Sequence, residues 1–233
     1  MLVYNYLTNM DAIQQHLIKL SKQDSIPVDH KNYLINLRNN GFRPKVVYDI
    51  GACVLHWTNF AKTLWPDAEF IVFDAFDKAV FLYESAGLKH HFGVLGDVDG
   101  KIVRFYQNDF LPTGNSYYRE IGTENGRYFP VNSYRESLVS TLDSVVNKKQ
   151  FPLPDLVKID VQGAERDIVT GGAMTLKHAQ HLVIEMQHTN YNDGAPKFFE
   201  TIPIVESLGF QCIAPLFCNN GPDGDYGFVK TTR

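Results

Sequence analysis

The 233-residue chain has few cysteines, no long apolar segment and no excess of basic residues, and each shortage argues against a class of protein. Its three cysteines, Cys53, Cys212 and Cys218, cannot all pair within the chain, and their spacing is not that of a zinc site. No apolar run approaches the roughly 20 residues of a membrane span, and the N-terminus lacks the pattern of a signal peptide. The formal net charge of −4 does not favour nucleic acid. We therefore expect a cytoplasmic protein with reduced thiols, no membrane span and no nucleic-acid partner.

What the chain does contain, from Lys45 onward, is an alternation of buried-strand patterns with amphipathic segments of about ten residues. Such alternation is typical of a parallel sheet with helical crossovers. The last two strand patterns, "FQCIAPLF" and "YGFVKTT", flank a turn-rich "CNNGPDGD" and predict an antiparallel hairpin. We predict an α/β fold with about seven strands, mostly parallel, helices on both faces and this hairpin at the C-terminus. Pro203 is expected to kink or divide the helix predicted before the hairpin.

The segment before this pattern is predicted to be helical over residues 9–40, from apolar residues at helical spacing. We assign residues 1–44 to an N-terminal helical extension packed on the core and residues 45–233 to the catalytic domain. The extension is expected to cover one edge of the domain, and roles in a dimer contact or as a lid stay open.

The stretch "KVVYDIGACVLHWT" begins like a nucleotide-cofactor loop but has a single glycine, Gly51. A dinucleotide site requires G-x-G-x-x-G, so that backbone amides can approach a pyrophosphate. Three acidic residues, Asp49, Asp74 and Asp97, fall at predicted strand ends, where ligands of open α/β sheets bind. S-adenosylmethionine carries no phosphate and has a cationic sulfonium, which an acidic site tolerates. The pattern therefore favours this cofactor over a nicotinamide dinucleotide.

The chain resembles the FkbM-type S-adenosylmethionine-dependent methyltransferases over about residues 45–190. The resemblance implies a class I methyltransferase (Rossmann-like) fold and, as the usual activity, O-methylation of sugar or polyketide hydroxyls. It departs from the family at Cys53 and Leu55, where asparagine and glycine are usual, and at "DA", where Glu-Pro is usual after the second strand. The matching stretches are "VVYDIGACVLHWT", "FIVFDAFD", "GVLGDVDGKIV", "GNS", "STLDSVV", "DLVKIDVQGAERDIVTGG" and "LVIEMQH".

By this resemblance one group of residues is expected to bind the cofactor. Asp74 would hold the ribose, Gly96 and Asp97 would border the adenine, and Asp160 would lie near the transferred methyl. We predict that Leu55 points into the interface between sheet and helix and leaves the cofactor room. The predicted cofactor-binding residues are Asp49, Gly51, Ala52, Cys53, Thr58, Asp74, Ala75, Gly96, Asp97 and Asp160.

A base is needed to take the proton of the acceptor hydroxyl, and the predicted catalytic residues are Asp160, His188 and Glu165. Asp160 is the first choice, either as the base or as the group that orients the acceptor. His188 titrates in a useful range, whereas Glu165 could instead stabilise the start of its own helix. A magnesium ion held by Asp160, Glu185 and His188 is an alternative, but the favoured interpretation has no metal.

The segment 110–137 is rich in Gly, Asn, Ser and Tyr and is the predicted acceptor-binding part, since long loops inside compact domains are often functional. The expected acceptor is a carbohydrate or glycoconjugate, and a homodimer or an association with glycosyltransferases stays open. The main rival is a methyltransferase-like binding module without turnover, which Leu55 motivates. The predicted substrate-binding residues are Asn115, Ser116, Tyr117, Tyr118, Arg119 and Arg127.

Overall fold

A computed structural model describes residues 11–122, 126–217 and 221–231. Cys218 and the first two residues of the predicted helical segment 9–40 lie outside the described residues. The described strands, numbered in chain order, are β1 (Val46–Ile50), β2 (Glu69–Asp74), β3 (Lys89–Phe92), β4 (Val94–Leu95), β5 (Ile102–Phe105), β6 (Arg135–Ser140), β7 (Leu156–Ile159), β8 (His181–Gln187), β9 (Phe210–Phe217) and β10 (Asp223–Lys230).

The central sheet has seven strands in the order β3-β2-β1-β7-β8-β10-β9. The first five strands in this order, β3-β2-β1-β7-β8, pair in parallel, and β10 runs antiparallel to both β8 and β9. The predicted seven-stranded, mostly parallel sheet with a C-terminal antiparallel hairpin is therefore confirmed. The order reverses between β1 and β7, and this switch point is where open α/β sheets bind their ligands.

Helices cover both faces of this sheet, as predicted. One face packs against α5, α6 and α8 in one hydrophobic cluster, and the other packs against α1, α2 and α3 in a second cluster. None of the described helices is long and apolar enough to cross a membrane. The helices are α1 (Ala12–Leu20), α2 (Val28–Asn39), α3 (His56–Leu64), α4 (Val80–Ser85), α5 (Leu142–Lys149), α6 (Glu165–Gly171), α7 (Ala173–Leu176) and α8 (Phe198–Ser207).

The N-terminal helices share the second cluster with the sheet, because Leu17 of α1 and Leu34 of α2 are completely buried there. Asp11 starts α1 by accepting a hydrogen bond from the Gln14 amide, 2.8 Å away, in a capping box. Helix α2 lies against the sheet near β9 and carries His30 into the interior. Helices α1 and α2 therefore cover the face of the sheet that carries the second cluster.

A small second sheet, in the order β4-β6-β5, differs from the sequence prediction. The stretch "HHFGVLGD" is divided at Gly93 into β3 of the main sheet and β4 of the small one. Strand β6 was not predicted, because residues 135–137 were taken as part of a loop and half of the strand is solvent-exposed. Helix α8 continues through Pro203 as one element, so it is not divided there, and the alternative of a kink stays a prediction.

Strand β10 begins at Asp223, inside the stretch that the sequence assigned to a turn. Its register with β8 pairs Asp223 with Gln187 and Asp225 with Glu185. The prediction of a turn at these residues was wrong, because β10 pairs with β8 from Asp223 to Val229. The earlier start of β10 places two more carboxylates, those of Asp223 and Asp225, on the sheet.

The strand registers bring acidic residues from four strands into one row at the carboxyl edge of the sheet. Ile50 pairs with Phe73 and Ile159, and Ile159 pairs with Ile184. The residues that follow each of these therefore share the next row, and Asp225 joins it through its pairing with Glu185. This row, from β2 to β10, consists of Asp74, Gly51, Asp160, Glu185 and Asp225.

Candidate active site

A cavity of about 340 Å³ opens over this row of residues. All five members of the row line it, and the opposite wall comes from residues 25–27, His30 and the start of α3. Phe73, Val94 and Leu95 make one end apolar, whereas the other end carries the carboxylates of Asp223 and Asp225. The cavity thus has an apolar half near β2 and an acidic half near β8 and β10.

A buried lysine, Lys158, holds the floor of the cavity together. Its Nζ lies 3.2 Å from Asp49 Oδ1 and 3.3 Å from Asp160 Oδ2, and it donates to the Gly51 carbonyl oxygen at 2.8 Å. The Thr58 hydroxyl donates to the other Asp49 oxygen at 2.6 Å. Burial by itself lowers the pKa of Lys158, but the carboxylates of Asp160 and Asp49 outweigh it and raise the pKa above its usual value. Lys158 is therefore charged and connects β1 to β7.

The loop after β1 has a glycine where the neighbouring strand approaches closely. Gly51 has φ +80, and a Cβ added to it would lie 1.7 Å from the backbone oxygen of Asp160. Gly51 is therefore required by its contact with the end of β7.

Two non-glycine residues of the same loop also adopt positive φ, Cys53 at 45° and Leu55 at 70°. The Leu55 side chain is 4% exposed, packs in the cluster between the sheet and helices α1 to α3, and does not line the cavity. The prediction that Leu55 points into the interface between sheet and helix is confirmed.

Asp74, at the end of β2, is held by two backbone amides of neighbouring loops. The Cys53 amide donates to Oδ2 at 2.6 Å, and the Phe76 amide donates to Oδ1 at 2.7 Å. Burial raises the pKa of Asp74, and these two amides partly oppose that effect. Each carboxylate oxygen has a second lone-pair site. The side chain can therefore still accept hydrogen bonds from a ligand in the cavity.

At the acidic end, Gln162 bridges the carboxyl groups of Asp160 and Glu185. The Gln162 amide nitrogen donates to Glu185 Oε2 at 2.6 Å and to Asp160 Oδ1 at 3.2 Å. Burial would raise the pKa of Asp160, but Lys158 and a hydrogen bond from Glu185 lower it overall. Burial and the charge of Asp160 raise the pKa of Glu185 well above its usual range. Asp160 is therefore the ionised member of the pair and Glu185 the member that holds a proton.

The other two carboxylates lie on β10. The pKa of Asp223 is raised to about 6 by burial and by the charges of Asp160 and Asp225. Asp225 Oδ2 lies 2.9 Å from His30 Nδ1, and Trp57 Nε1 donates to His30 Nε2 at 2.8 Å. Helices α2 and α3 therefore reach the acidic half through this chain of side chains.

The structure brings about half of the predicted site residues to the cavity. Cofactor-binding and acceptor-binding candidates both contribute, and they come from the loop after β1, the ends of β2 and β7, and the segment 110–137. The predicted residues that line it are Gly51, Ala52, Cys53, Asp74, Ala75, Asn115, Ser116, Tyr117 and Asp160.

Four predicted cofactor-binding residues lie away from the cavity surface. Asp49 and Thr58 are fully buried beneath the floor, where Asp49 pairs with Lys158 and accepts a hydrogen bond from Thr58. The carbonyl of Gly96 packs against Gly171 of α6, where a Cβ would lie 2.1 Å from its oxygen. Asp97 pairs with Lys101 at 3.1 Å on the surface. Gly93, Val94 and Leu95 form the cavity wall in that region instead.

Three predicted acceptor-binding residues have partners away from the cavity, in α6 or within the segment 110–137 itself. The Tyr118 hydroxyl donates to Asp167 Oδ2 at 2.9 Å, and the Arg119 guanidinium donates to the Phe129 carbonyl at 3.2 Å. The Arg127 guanidinium lies 6.0 Å from the centre of the Tyr128 ring. These contacts shape the segment but do not bring the three side chains to the cavity.

Two predicted catalytic residues also lie outside it. Glu165 is buried and accepts hydrogen bonds from the amides of Val161 and Gly163 at 2.9 to 3.1 Å, so it stabilises the start of its own helix. Burial raises the pKa of Glu165 to about 7, against the effect of these amides. His188 Nε2 lies 2.9 Å from the Tyr226 hydroxyl, and the ring packs against Phe198.

A magnesium site of Asp160, Glu185 and His188 has no support in this arrangement, because His188 faces Tyr226 rather than the cavity. Within the described ranges, no group of three or more His, Cys, Asp or Glu side chains has the geometry of a metal site.

Sequence reasoning missed many of the residues that line the cavity, and five of these are a buried lysine, two carboxylates of β10 and two residues of helices α2 and α3. Lys158 had a signal, because it lies two residues before Asp160 and therefore on the same face of the strand. Asp223 and Asp225 were hidden by the assignment of a turn, and no local pattern connects them to the helices. These five residues are His30, Trp57, Lys158, Asp223 and Asp225.

The predicted cofactor, S-adenosylmethionine, fits the donor and acceptor groups of the cavity. Asp74 ends β2 with lone pairs left for ribose hydroxyls, and Val94 and Leu95 offer an apolar surface for a purine. The Asn115 side chain lines the cavity, and its buried amide nitrogen has no hydrogen-bond partner in the described part of the chain. Such a group points to a ligand acceptor. Asp160 gives the cavity a negative charge, which is compatible with a cationic sulfonium.

Comparison with a solved O-methyltransferase gives the same fold. The O-methyltransferase TomG from Streptomyces achromogenes, involved in tomaymycin synthesis and solved in complex with S-adenosylmethionine, is 11% identical, with a TM-score of 0.50; the match covers 96% of this chain and 92% of TomG. Magnesium protoporphyrin IX methyltransferase from Synechocystis, also with bound S-adenosylmethionine, is 11% identical with a TM-score of 0.49, and the match covers 99% of this chain and 96% of that one.

No curated protein matches the chain. The sequence model of the methyltransferase FkbM domain matches residues 49–212, which is well over half of the chain and spans β1 to β9. The chain belongs to the FkbM family of S-adenosylmethionine-dependent methyltransferases.

Proposed function

We propose that the protein is an O-methyltransferase that methylates a hydroxyl of a sugar, a glycan or a glycosylated small molecule. The observation that carries this proposal is the acidic half of the cavity, where carboxylates of β7, β8 and β10 lie beside the end of the cofactor region. Carboxylates accept hydrogen bonds from hydroxyl groups, and a polyol offers several such donors. Tyr117, in the segment that contains "GNS", lines the cavity and adds a flat aromatic face of the kind that suits a sugar ring.

When bound, S-adenosylmethionine supplies an activated methyl group. The residues of this chain must then orient the acceptor oxygen for in-line displacement, exclude water and take up the hydroxyl proton. Asp160 is engaged by Lys158 and Gln162, so its role is to orient and to provide charge. Asp223 is the better proton acceptor, because its pKa of about 6 leaves it ionised at neutral pH while it still binds a proton readily.

The first experiment is a binding measurement, which separates an enzyme from a methyltransferase-like binding module. Isothermal titration calorimetry with S-adenosylmethionine should show binding to the folded protein. If circular dichroism shows a folded protein and calorimetry shows no binding, the enzyme proposal is refuted.

The second experiment is a methyl-transfer screen with S-adenosylmethionine labelled in its methyl group. The acceptors are the methyl glycosides of glucose, galactose, mannose and rhamnose, together with nucleotide sugars. We expect label in at least one sugar and an O-methyl product by mass spectrometry. Transfer to nitrogen or carbon, or to none of these acceptors, would contradict the proposal.

The base is tested with Asp223→Asn, which should lower kcat by about 10²-fold or more, since a general base contributes roughly 10²–10⁴-fold. The matched control is Asp97→Asn, because Asp97 is a carboxylate that pairs with Lys101 outside the cavity. Full activity of Asp223→Asn would reject the assignment, and Asp160→Asn would then be the variant to compare.

A further inference from the structure

A chain of hydrogen bonds runs through the interior from α3 across α2 to β10. Trp57 Nε1 donates to His30 Nε2 at 2.8 Å, and His30 Nδ1 lies 2.9 Å from Asp225 Oδ2. The three residues come from distant parts of the sequence, and all three line the cavity. His30 and Trp57 are only 3% and 5% exposed, so solvent does not compete for these bonds.

The protonation of His30 follows from the chemistry of its partners. The indole nitrogen of tryptophan can only donate, so His30 Nε2 must accept and carries no proton. The ring proton is therefore on Nδ1, from which His30 donates to Asp225. Both ring nitrogens of a neutral imidazole are thus engaged, and neither its rotation nor its tautomer is free.

Asp225 lines the acidic half of the cavity. It pairs with Glu185 across β10 and β8, and Glu185 in turn is coupled to Asp160, at the end of the neighbouring strand. The bond to His30 uses one of the two carboxylate oxygens. A carboxylate has about four lone-pair sites, so the same group can also accept from a ligand hydroxyl.

We propose that Asp225 binds a hydroxyl of the acceptor and that His30, held by Trp57, is the positioning residue that orients this carboxylate. The inference rests on the proposed function and adds to it a subsite on β10. Helix α2 is then part of the acceptor site, because its His30 fixes the geometry of a group that touches the acceptor. A bond that merely ties α2 to β10 would stabilise the fold without affecting acceptor binding, and the experiments separate these two roles.

The main comparison is Trp57→Phe against Trp65→Phe. Both tryptophans are buried in the same cluster, and Trp65 also donates its indole proton, to the Phe42 carbonyl at 3.1 Å, but it does not line the cavity. Each substitution removes one buried indole N–H, so the loss of stability should be similar. Only Trp57→Phe should raise the KM for the methyl glycoside that the wild type methylates, by about threefold to tenfold, while the Kd for S-adenosylmethionine stays within about twofold.

The role of His30 is tested with His30→Leu and His30→Asn. Leucine removes the donor to Asp225 and should raise the acceptor KM about tenfold, which corresponds to about 1.4 kcal/mol. Asparagine keeps an N–H near the position of Nδ1 and should bring the KM back to within about threefold of the wild type. Rescue by asparagine would not be expected if His30 only filled space. An unchanged KM in His30→Leu, or equal KM values in Trp57→Phe and Trp65→Phe, would overturn the inference.

The tautomer is tested directly by NMR on protein labelled with ¹⁵N-histidine, with no acceptor present. Two-bond ¹H–¹⁵N spectra of the wild type near neutral pH should show the Nδ1–H form of His30, and Trp57→Phe should lose this preference. An Nε2–H form in the wild type overturns the inference whatever the sugar screen gives.

The two proposals fail in different ways. A wild type that methylates none of the sugars overturns the sugar proposal, and with it the assignment of Asp225 to a sugar hydroxyl. A wild type that methylates a sugar, with unchanged KM in His30→Leu, overturns the Asp225 subsite alone.

Discussion

Replacing Lys158 with methionine should destabilise the fold and weaken the cofactor site, for a single electrostatic reason. The ammonium group lies within 3.3 Å of both Asp49 and Asp160, and its side chain is 7% exposed. Methionine keeps most of the volume but leaves the fully buried Asp49 without its cation. Breaking a buried ion pair by removing one partner costs about 3–5 kcal/mol. This is a large share of the roughly 5–15 kcal/mol by which a typical domain is stable.

The matched control is Lys101→Met, which breaks the surface pair with Asp97. Both partners there are partly exposed, at 44% and 31%, so the loss should be at most about 1 kcal/mol. Urea unfolding followed by circular dichroism measures both variants. If Lys158→Met and Lys101→Met lose equal stability, the argument that Lys158 holds the floor of the site is refuted.

A double variant, Asp49→Asn with Lys158→Met, separates stability from binding. It removes both buried charges, and the introduced asparagine can still accept from the Thr58 hydroxyl, so most of the lost stability should return. Asp160 nevertheless lacks its cation, and the Gly51 carbonyl lacks its donor. Calorimetry should therefore still show weaker binding of S-adenosylmethionine, by about tenfold. Wild-type affinity in the double variant would show that Lys158 is purely structural.

The stability of the single variant Lys158→Met should also depend on pH differently from that of the wild type. Burial raises the pKa of Asp160 and Lys158 lowers it, so we expect the pKa to rise above its unfolded value when the lysine is removed. The native state then binds more protons than the unfolded state, and stability falls as the pH rises. The deficit of Lys158→Met should therefore be smaller at pH 5 than at pH 8, and a deficit that grows toward pH 5 would contradict this reasoning.

Three further predictions concern single residues. Gly51→Ala should lose about 2–4 kcal/mol of unfolding free energy, together with cofactor binding, because its Cβ would meet the Asp160 oxygen. The control, Gly87→Ala, is also at positive φ but has nothing within 4 Å of the added Cβ, so urea unfolding should show a loss of only about 1 kcal/mol. The pKa of Glu165 is raised to about 7, so the wild type loses a bound proton, and up to about 3 kcal/mol of its free energy of unfolding, as the pH rises from 5 to 8. Glu165→Gln should remove this fall, and a variant with the same dependence of stability on pH as the wild type would contradict the prediction. Asp74→Asn should weaken S-adenosylmethionine binding about tenfold in calorimetry, and wild-type affinity would remove Asp74 from the cofactor site.

The parts of the site that the sequence predicted are those that follow from local rules. Asp74 and Asp160 directly follow buried strands of a parallel sheet, so their place at the carboxyl edge needed only the strand assignment and its direction. The core strands were predictable because β1, β2 and β7 are mostly apolar and buried on both faces.

The parts that it missed depend on contacts between distant segments. Composition predicts that a lysine is exposed, and only the register of β7 beside β1 places Lys158 opposite Asp49. His30 and Asp225 are separated by 195 positions, and no local pattern links a histidine of the N-terminal helices to the last strand. Strand β6 escaped because three of its six residues are exposed, and its partner β5 is similarly open to solvent.

The loop after β1 shows why a search for glycines alone would misjudge this site. Leu55 adopts a φ of 70° where the family usually has glycine, at a cost of about 1–2 kcal/mol for a residue with a Cβ. Burying its side chain in the cluster beneath the loop returns about 1.5–3 kcal/mol. The two effects are of similar size, so the backbone conformation can be kept without the glycine. At Gly51 no such exchange is possible, because the Asp160 oxygen occupies the place of a Cβ. The loop therefore depends on glycine only where another strand touches it, and elsewhere on a backbone conformation that packing can stabilise.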